Sequence, residues 1–201
     1  IIIETCEESG SFDLPPYLEE LTDQLGDPDM VVVMDSGGPD YDHVWMTEAL
    51  RGLVSGTLSV KVSHEGIHSG NSGGSIPSSF RIQRILLDRV EDSATGRVLV
   101  PEMHVEIPQE VRDKAIALRD VVGNSIWEQF PTVDSLRQAS ETTEDMIVAM
   151  NWEPTLSIIG ADGLPSVQVA GNVLRTNTDL KLRFRIPPGV DSEVAIASAK
   201  K

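Results

Sequence analysis

Three carboxylates near the start of the chain have the types and order that could do chemistry. Glu7 and Glu8 are neighbours, and Asp35 follows a short apolar run. Adjacent carboxylates near a third repel one another unless protons or cations compensate them. A divalent cation takes Asp or Glu oxygen directly, and a spare carboxylate beside it can act as general base on water. A solvated acidic rim is the alternative reading of the same residues.

Two further motifs match hydrolase signatures by letter. His64-Glu65-Gly66-Ile67-His68 fits H-E-x-x-H, which needs a helix to bring both histidines to one face. This copy follows an alternating strand, contains a glycine and runs into Ser69-Gly70-Asn71-Ser72-Gly73-Gly74, so a helix across it is not expected. Gly70-Asn71-Ser72-Gly73-Gly74 fits G-x-S-x-G, but the elbow serine must directly follow a buried strand. Here the strand ends well before Ser72, and His104 is the one histidine downstream. A glycine-rich loop accounts for both matches.

The elements that must position the three carboxylates follow from patterning. Residues 1–6 are β-branched and apolar, Asp13 can cap a helix through Tyr17-Leu18 to about Leu25, and Met30-Val31-Val32-Val33-Met34 reads as a second buried strand. Strand, helix, strand in that span predicts a βαβ unit with parallel strands. Open parallel sheets bind ligands beyond the carboxyl ends of their strands, which here carry Glu7-Glu8 and Asp35.

From Arg51 the texture changes. Leu58, Val60 and Val62 alternate with polar residues, as expected of an antiparallel strand with one wet face. Pro77 suits the first turn of a helix with an apolar stripe of Ile82, Ile85, Leu86 and Val90, serving a core or a dimer. Residues 109–122 and 134–150 read as helices, Thr155 to Ile159 and Leu180 to Ile186 as strands, and Asp191 as the cap of a last helix.

Composition narrows the class. Acids outnumber bases 32 to 16, and residues 1–50 hold thirteen acids and no Lys or Arg. No basic stripe is available to neutralise phosphates, which argues against nucleic acid as a partner. No apolar run approaches the roughly 18 residues of a membrane span. The single cysteine, Cys6, excludes an internal disulfide framework and fits a reducing compartment, so a cytoplasmic location is expected. The chain opens on Ile1-Ile2-Ile3 without Met or a basic leader, as though cut at a strand.

Taken in order and spacing, Glu4-Thr5-Cys6-Glu7-Glu8-Ser9-Gly10-Ser11, Val33-Met34-Asp35, Arg51-Gly52-Leu53-Val54, and Ile67-His68-Ser69-Gly70 with Gly73-Gly74 resemble the di-zinc metallopeptidase family. That family includes carnosinase, the Cys-Gly dipeptidases and, more distantly, succinyl-diaminopimelate desuccinylase; the Glu-Glu-Ser-Gly-Ser form is most similar to the carnosinase branch. The resemblance implies Glu7 as the general base, and Glu8 and Asp35 as metal ligands, one on each metal. It implies His68 as a lid histidine that reaches across a dimer to stabilise the oxyanion in the partner's site, a role suited to a donor aimed at developing charge. It implies Arg185, in Phe184-Arg185-Ile186-Pro187, and Asn172 as substrate contacts, the guanidinium fork matching a terminal carboxylate. The family's upstream H-x-D motif, its metal-bridging Asp and its downstream His ligand have no counterpart here.

The expectation is therefore an α+β chain: a βαβ piece of a parallel or mixed catalytic sheet in residues 1–50, then a lid and dimerisation domain in residues 51–201, with an antiparallel sheet and helices on one face. The intact protein would be a metal-dependent dipeptidase or aminoacylase-like hydrolase. It would hold two divalent ions, zinc first with manganese or cobalt as alternatives, act on a small peptide or N-acyl amino acid, and dimerise through the lid. A non-catalytic dimerisation or interaction module with an acidic surface is the alternative.

Overall fold

A computed structural model of the chain describes residues 1–35 and 37–201. It divides into two units, Ile1–Gly37 and Gly38–Lys201.

The first unit contains two short helices, α1 (Leu14–Glu20) and α2 (Thr22–Leu25). Asp13 occupies the N-cap position of α1 but makes no side-chain cap bond. The reason is local: the second and third helical positions are Pro15 and Pro16, which lack the amide hydrogens a capping carboxylate accepts. The expected strands at 1–6 and 30–34 do not form, which corrects the βαβ piece to its helical part alone. Val31, Val32 and Val33 are 70–79% exposed. A parallel pair needs neighbouring strands and cover on both faces, and two helices of seven and four residues do not supply them.

The second unit is built on a three-stranded antiparallel sheet of β1 (Gly52–Lys61), β3 (Thr155–Asp162) and β5 (Asn177–Ile186), in the order β1-β5-β3. A two-stranded ladder joins β2 (Ile67–His68) to β4 (Val173–Leu174). Between the strands run α3 (Ser69–Ser72), α4 (Ser79–Leu87), α5 (Gln109–Val122), α6 (Ser125–Glu128) and α7 (Thr143–Trp152), and α8 (Ser192–Ala199) closes the chain. Alternation puts Val54, Phe184 and Ile186 on one sheet face, where they pack with Val98, Val100, Met103 and Ala195 of α8. A second core joins Ala115, Ile126, Met146, Ile147 and Val148 of α5, α6 and α7, with Trp127 and Trp152 against them.

Helix α4 differs from its expected stripe. Ser78, not Pro77, sets its start, its hydroxyl accepting from the Arg81 amide at 3.1 Å. Ile85 is half exposed, whereas Ser79 and Gln83 are buried. Gln83 Nε2 donates to the Leu58 and Thr178 carbonyls at 3.1 and 2.7 Å, and the Ser79 and Thr178 hydroxyls bond at 2.6 Å. Gln83 Oε1 is buried without a partner, so the helix seats through a hydrogen-bonded seam in which the amide nitrogen, not the oxygen, of Gln83 is satisfied.

Candidate functional site

Glu7 and Glu8 lie on a single 3-10 turn, Glu7–Ser9. The Cys6 carbonyl accepts from Ser9 and Ser11, and the Glu7 carbonyl from Gly10 at 2.8 Å, which folds the segment tightly and leaves both carboxylates exposed. Local desolvation, helped by the Glu4 and Asp13 carboxylates and opposed by a bond with the Asp13 backbone, raises the Cys6 thiol above its ordinary pKa. Asp35 is exposed at the end of the unpaired 30–34 run. Among the described residues, no three His, Cys, Asp or Glu side chains gather into a group that could hold a metal ion. A zinc takes three or four protein donors, so the donor set of this chain does not by itself fit one.

In the second unit, the expected site residues fall on two sheets, His68 and Asn172 at the β2–β4 ladder and Arg185 on the three-stranded sheet. His68 and Asn172 are brought together: His68 pairs with Val173 across the β2–β4 ladder, and the Ser69 amide donates to the Asn172 carbonyl at 2.9 Å. The Gly70 amide donates to His68 Nδ1 at 3.2 Å, so the neutral ring carries its proton on Nε2 and presents that donor outward from an exposed side chain. Two glycines permit this arrangement. A Cβ at Gly70 would stand 3.1 Å from the His68 ring, and one at Gly66 would stand 2.9 Å from Val173 Cγ1, closing the approach of β4. The H-E-x-x-H letters thus run from loop into strand, and His64 and His68 do not share a helix face.

Arg185 sits near one end of the three-stranded sheet. It lies on the central strand β5, opposite Leu53 of β1 and Thr155 of β3. From there to the Lys61–Asn177 pair is eight residues, about 27 Å along the strand, and the β2–β4 ladder follows that far end. Sequence reasoning assigned no role to Arg51, which stands beside Arg185. Arg51 Nη1 donates to the Glu153 carbonyl and the Thr155 hydroxyl, each at 3.2 Å. Partial burial, and then the charge of Arg185, lower the Arg51 pKa. Arg51 is thus tied to Thr155, the β3 residue that pairs with Arg185.

His43 and His104 make local contacts away from these residues. His104 Nε2 contacts the Val98 carbonyl at 2.7 Å, and His43 Nδ1 contacts Asp40 at 2.8 Å. Among the described residues no helix is long and apolar enough to cross a membrane.

No protein-family model matches the chain. Among curated proteins it is 26% identical over 199 residues to the Cys-Gly metallodipeptidase DUG1 of Saccharomyces cerevisiae, covering 98% of this chain and 41% of that enzyme. It is 23% identical over 164 residues to the mouse β-Ala-His dipeptidase, covering 81% of this chain and 33% of that enzyme. The chain's homologues are metallodipeptidases. Its fold agrees with theirs: the solved structure of the yeast dipeptidase Dug1p superposes with a TM-score of 0.70 at 22% identity over 98% of this chain and 41% of that one. Human carnosine dipeptidase 1 gives 0.69 at 23% identity, over 98% and 42% of the two chains. An M20 family metallo-carboxypeptidase of Sulfolobus solfataricus gives 0.65 at 20% identity, over 95% and 49%. The antiparallel sheet with helices on one face matches the lid domain of the M20 dipeptidases. The chain spans less than half the length of each of these metallodipeptidase relatives.

Proposed function

We propose that this chain forms part of a metal-dependent dipeptidase that hydrolyses the peptide bond of small substrates. Residues 1–50 belong to its catalytic domain and residues 51–201 to its lid and dimerisation domain. Glu8 and Asp35 contribute carboxylate oxygens to a centre of two divalent ions, zinc in the first instance, whose other donors come from outside these 201 residues. Bound there, the ions supply Lewis acidity. Glu7 takes the proton of the attacking water on a carboxylate oxygen and delivers it to the leaving amine. Arg185, with Arg51 beside it, holds the substrate's terminal carboxylate, and the His68 Nε2–H and Asn172 meet the carbonyl oxygen as it gains charge. The working location is the cytoplasm.

The observation that carries the reading is the separation of the lid residues. His68 and Asn172 stand together, and Arg185 is about 27 Å of strand away from the end they follow, so one dipeptide cannot span both within a single copy. Two copies resolve this, each lending His68 and Asn172 to the other's site.

The test is complementation in the longer protein that carries this sequence, with Cys-Gly and β-alanyl-histidine as substrates and a divalent cation supplied. Glu7→Gln and His68→Ala should each be nearly inactive alone. Mixed and reassembled, they should regain activity, because each heterodimer holds one intact site. Mixtures that stay as inactive as the separate variants would overturn the shared-site reading.

A further inference from the structure

We propose that the open face of the sheet carries a second carboxylate subsite, formed by Arg183 and Lys181 next to Arg185, which selects peptides ending in an acidic residue. The proposal rests on the reading of Arg185 as the site of the terminal carboxylate.

The register defines the face. Even positions of β5 enter the core, as buried Leu180, Phe184 and Ile186 show, so Lys181, Arg183 and Arg185 line the opposite face at alternate positions. Arg183 lies between Ser55 of β1 and Ser157 of β3, and Lys181 between Thr57 and Gly160. These flanking residues are small and exposed, and of the row Lys181 and Arg185 are exposed and Arg183 is partly buried. In the next row Asp179 stands opposite Ser59 and Asp162, which bounds the cationic strip.

No internal group answers these charges. Among the described residues, the ion pairs of the chain involve none of Lys181, Arg183 and Arg185. Arg183 Nε is shut off from water and has no hydrogen-bond partner. In a chain with twice as many acids as bases, three unpaired cations along one strand are a concentrated exception. The Nη end of a guanidinium that makes no internal ion pair is free to take an acceptor from outside, and a carboxylate is the group that fits it with two parallel bonds. Alternate residues on a strand are about 7 Å apart, a spacing suited to the two carboxyls of one C-terminal glutamate, the terminal group on Arg185 and the side chain on Arg183. Lys181 adds a more flexible charge behind them.

The test uses two isosteric probes, Gly-Glu and Gly-Gln, titrated into the 201-residue chain at low ionic strength and followed by NMR shifts. Gly-Glu should bind at least tenfold more tightly. Arg183→Gln should bring Gly-Glu to the level of Gly-Gln while leaving Gly-Gln unchanged, Lys181→Gln should remove part of the preference, and Arg183→Lys should keep part of it, which guards against misfolding of the first variant. Equal affinities in the unmodified chain, or a preference that survives both Arg183→Gln and Lys181→Gln, would overturn the proposal. Arg185→Gln reports separately on the underlying reading: it should weaken both peptides, and unchanged Gly-Gln binding would sink the role of Arg185 whatever the preference for Gly-Glu.

Discussion

The two units of the chain carry different kinds of residue on different kinds of support. The first holds Glu7, Glu8 and Asp35 on a single turn and an unpaired run, with no buried residue in either of its helices. The second holds His68 and Arg185 on paired strands, with Asn172 and Arg51 at the residues immediately before β4 and β1, and two hydrophobic cores lie in the same unit. Antiparallel strands joined within one unit satisfy their own backbone groups, whereas a piece of parallel sheet depends on neighbours for every bond. The proposed carboxylate and oxyanion contacts are therefore built in this chain, and the proposed metal ligands are only offered by it.

This contrast can be broken or sharpened by substitution. Phe184→Ala removes the largest side chain of the sheet core and should cost about 3–5 kcal/mol, measured as a fall in the denaturation midpoint of the sheet signal. A loss below about 1 kcal/mol would mean the sheet is held by something other than this core. Asp191→Ala should cost about 1 kcal/mol, because the Asp191 carboxylate accepts from the Glu193 and Val194 amides at 2.8 and 3.1 Å and starts α8. Amide exchange along α8 checks it.

Asp40 gives a smaller, pH-dependent effect. Desolvation acts to raise its pKa, but bonds from the His43 ring, Trp45 Nε1 and the His43 and Asp42 amides outweigh it, and the folded value lies below 3.8. A carboxyl lowered on folding contributes stability that is complete above its unfolded pKa and is lost as pH falls through the folded one. Between pH 5 and 2, Asp40→Asn should flatten a slight acid destabilisation around His43 and Trp45, read from their NMR shifts. Smallest of all, Val32→Ala in the first unit should change stability by less than about 0.5 kcal/mol, since Val32 is 70% exposed. A larger loss would show that the 30–34 run is packed after all.

Much of the second unit was legible because its pattern and its packing agree. The helix expected over 109–122 is α5 residue for residue, and the alternation of Leu58, Val60 and Val62 marks β1, which extends from Gly52 to Lys61. The helix expected over 134–150 begins only at Thr143, because Thr142 accepts from the Asp145 amide at 3.1 Å and ends the preceding loop as a cap. The stripe on α4 misled because Gln83 satisfies its amide nitrogen on two strand carbonyls, which hydropathy does not register. Residues 1–6 and 30–34 misled for the opposite reason: β-branched composition signals a strand, but pairing makes one. At the site, His68 was read through motif order, yet its tautomer depends on the Gly70 amide, and Arg51 was quoted without a role because its link to Arg185 runs through Thr155, which only the pairing of β3 with β5 reveals.

The central claim is that the acidic first unit supplies the general base of a metal-dependent hydrolase. In the longer protein carrying this sequence, Glu7→Gln should retain its bound metal, measured by elemental analysis, while kcat for a dipeptide falls by about 10²–10⁴-fold. An unchanged kcat with metal retained would contradict the account.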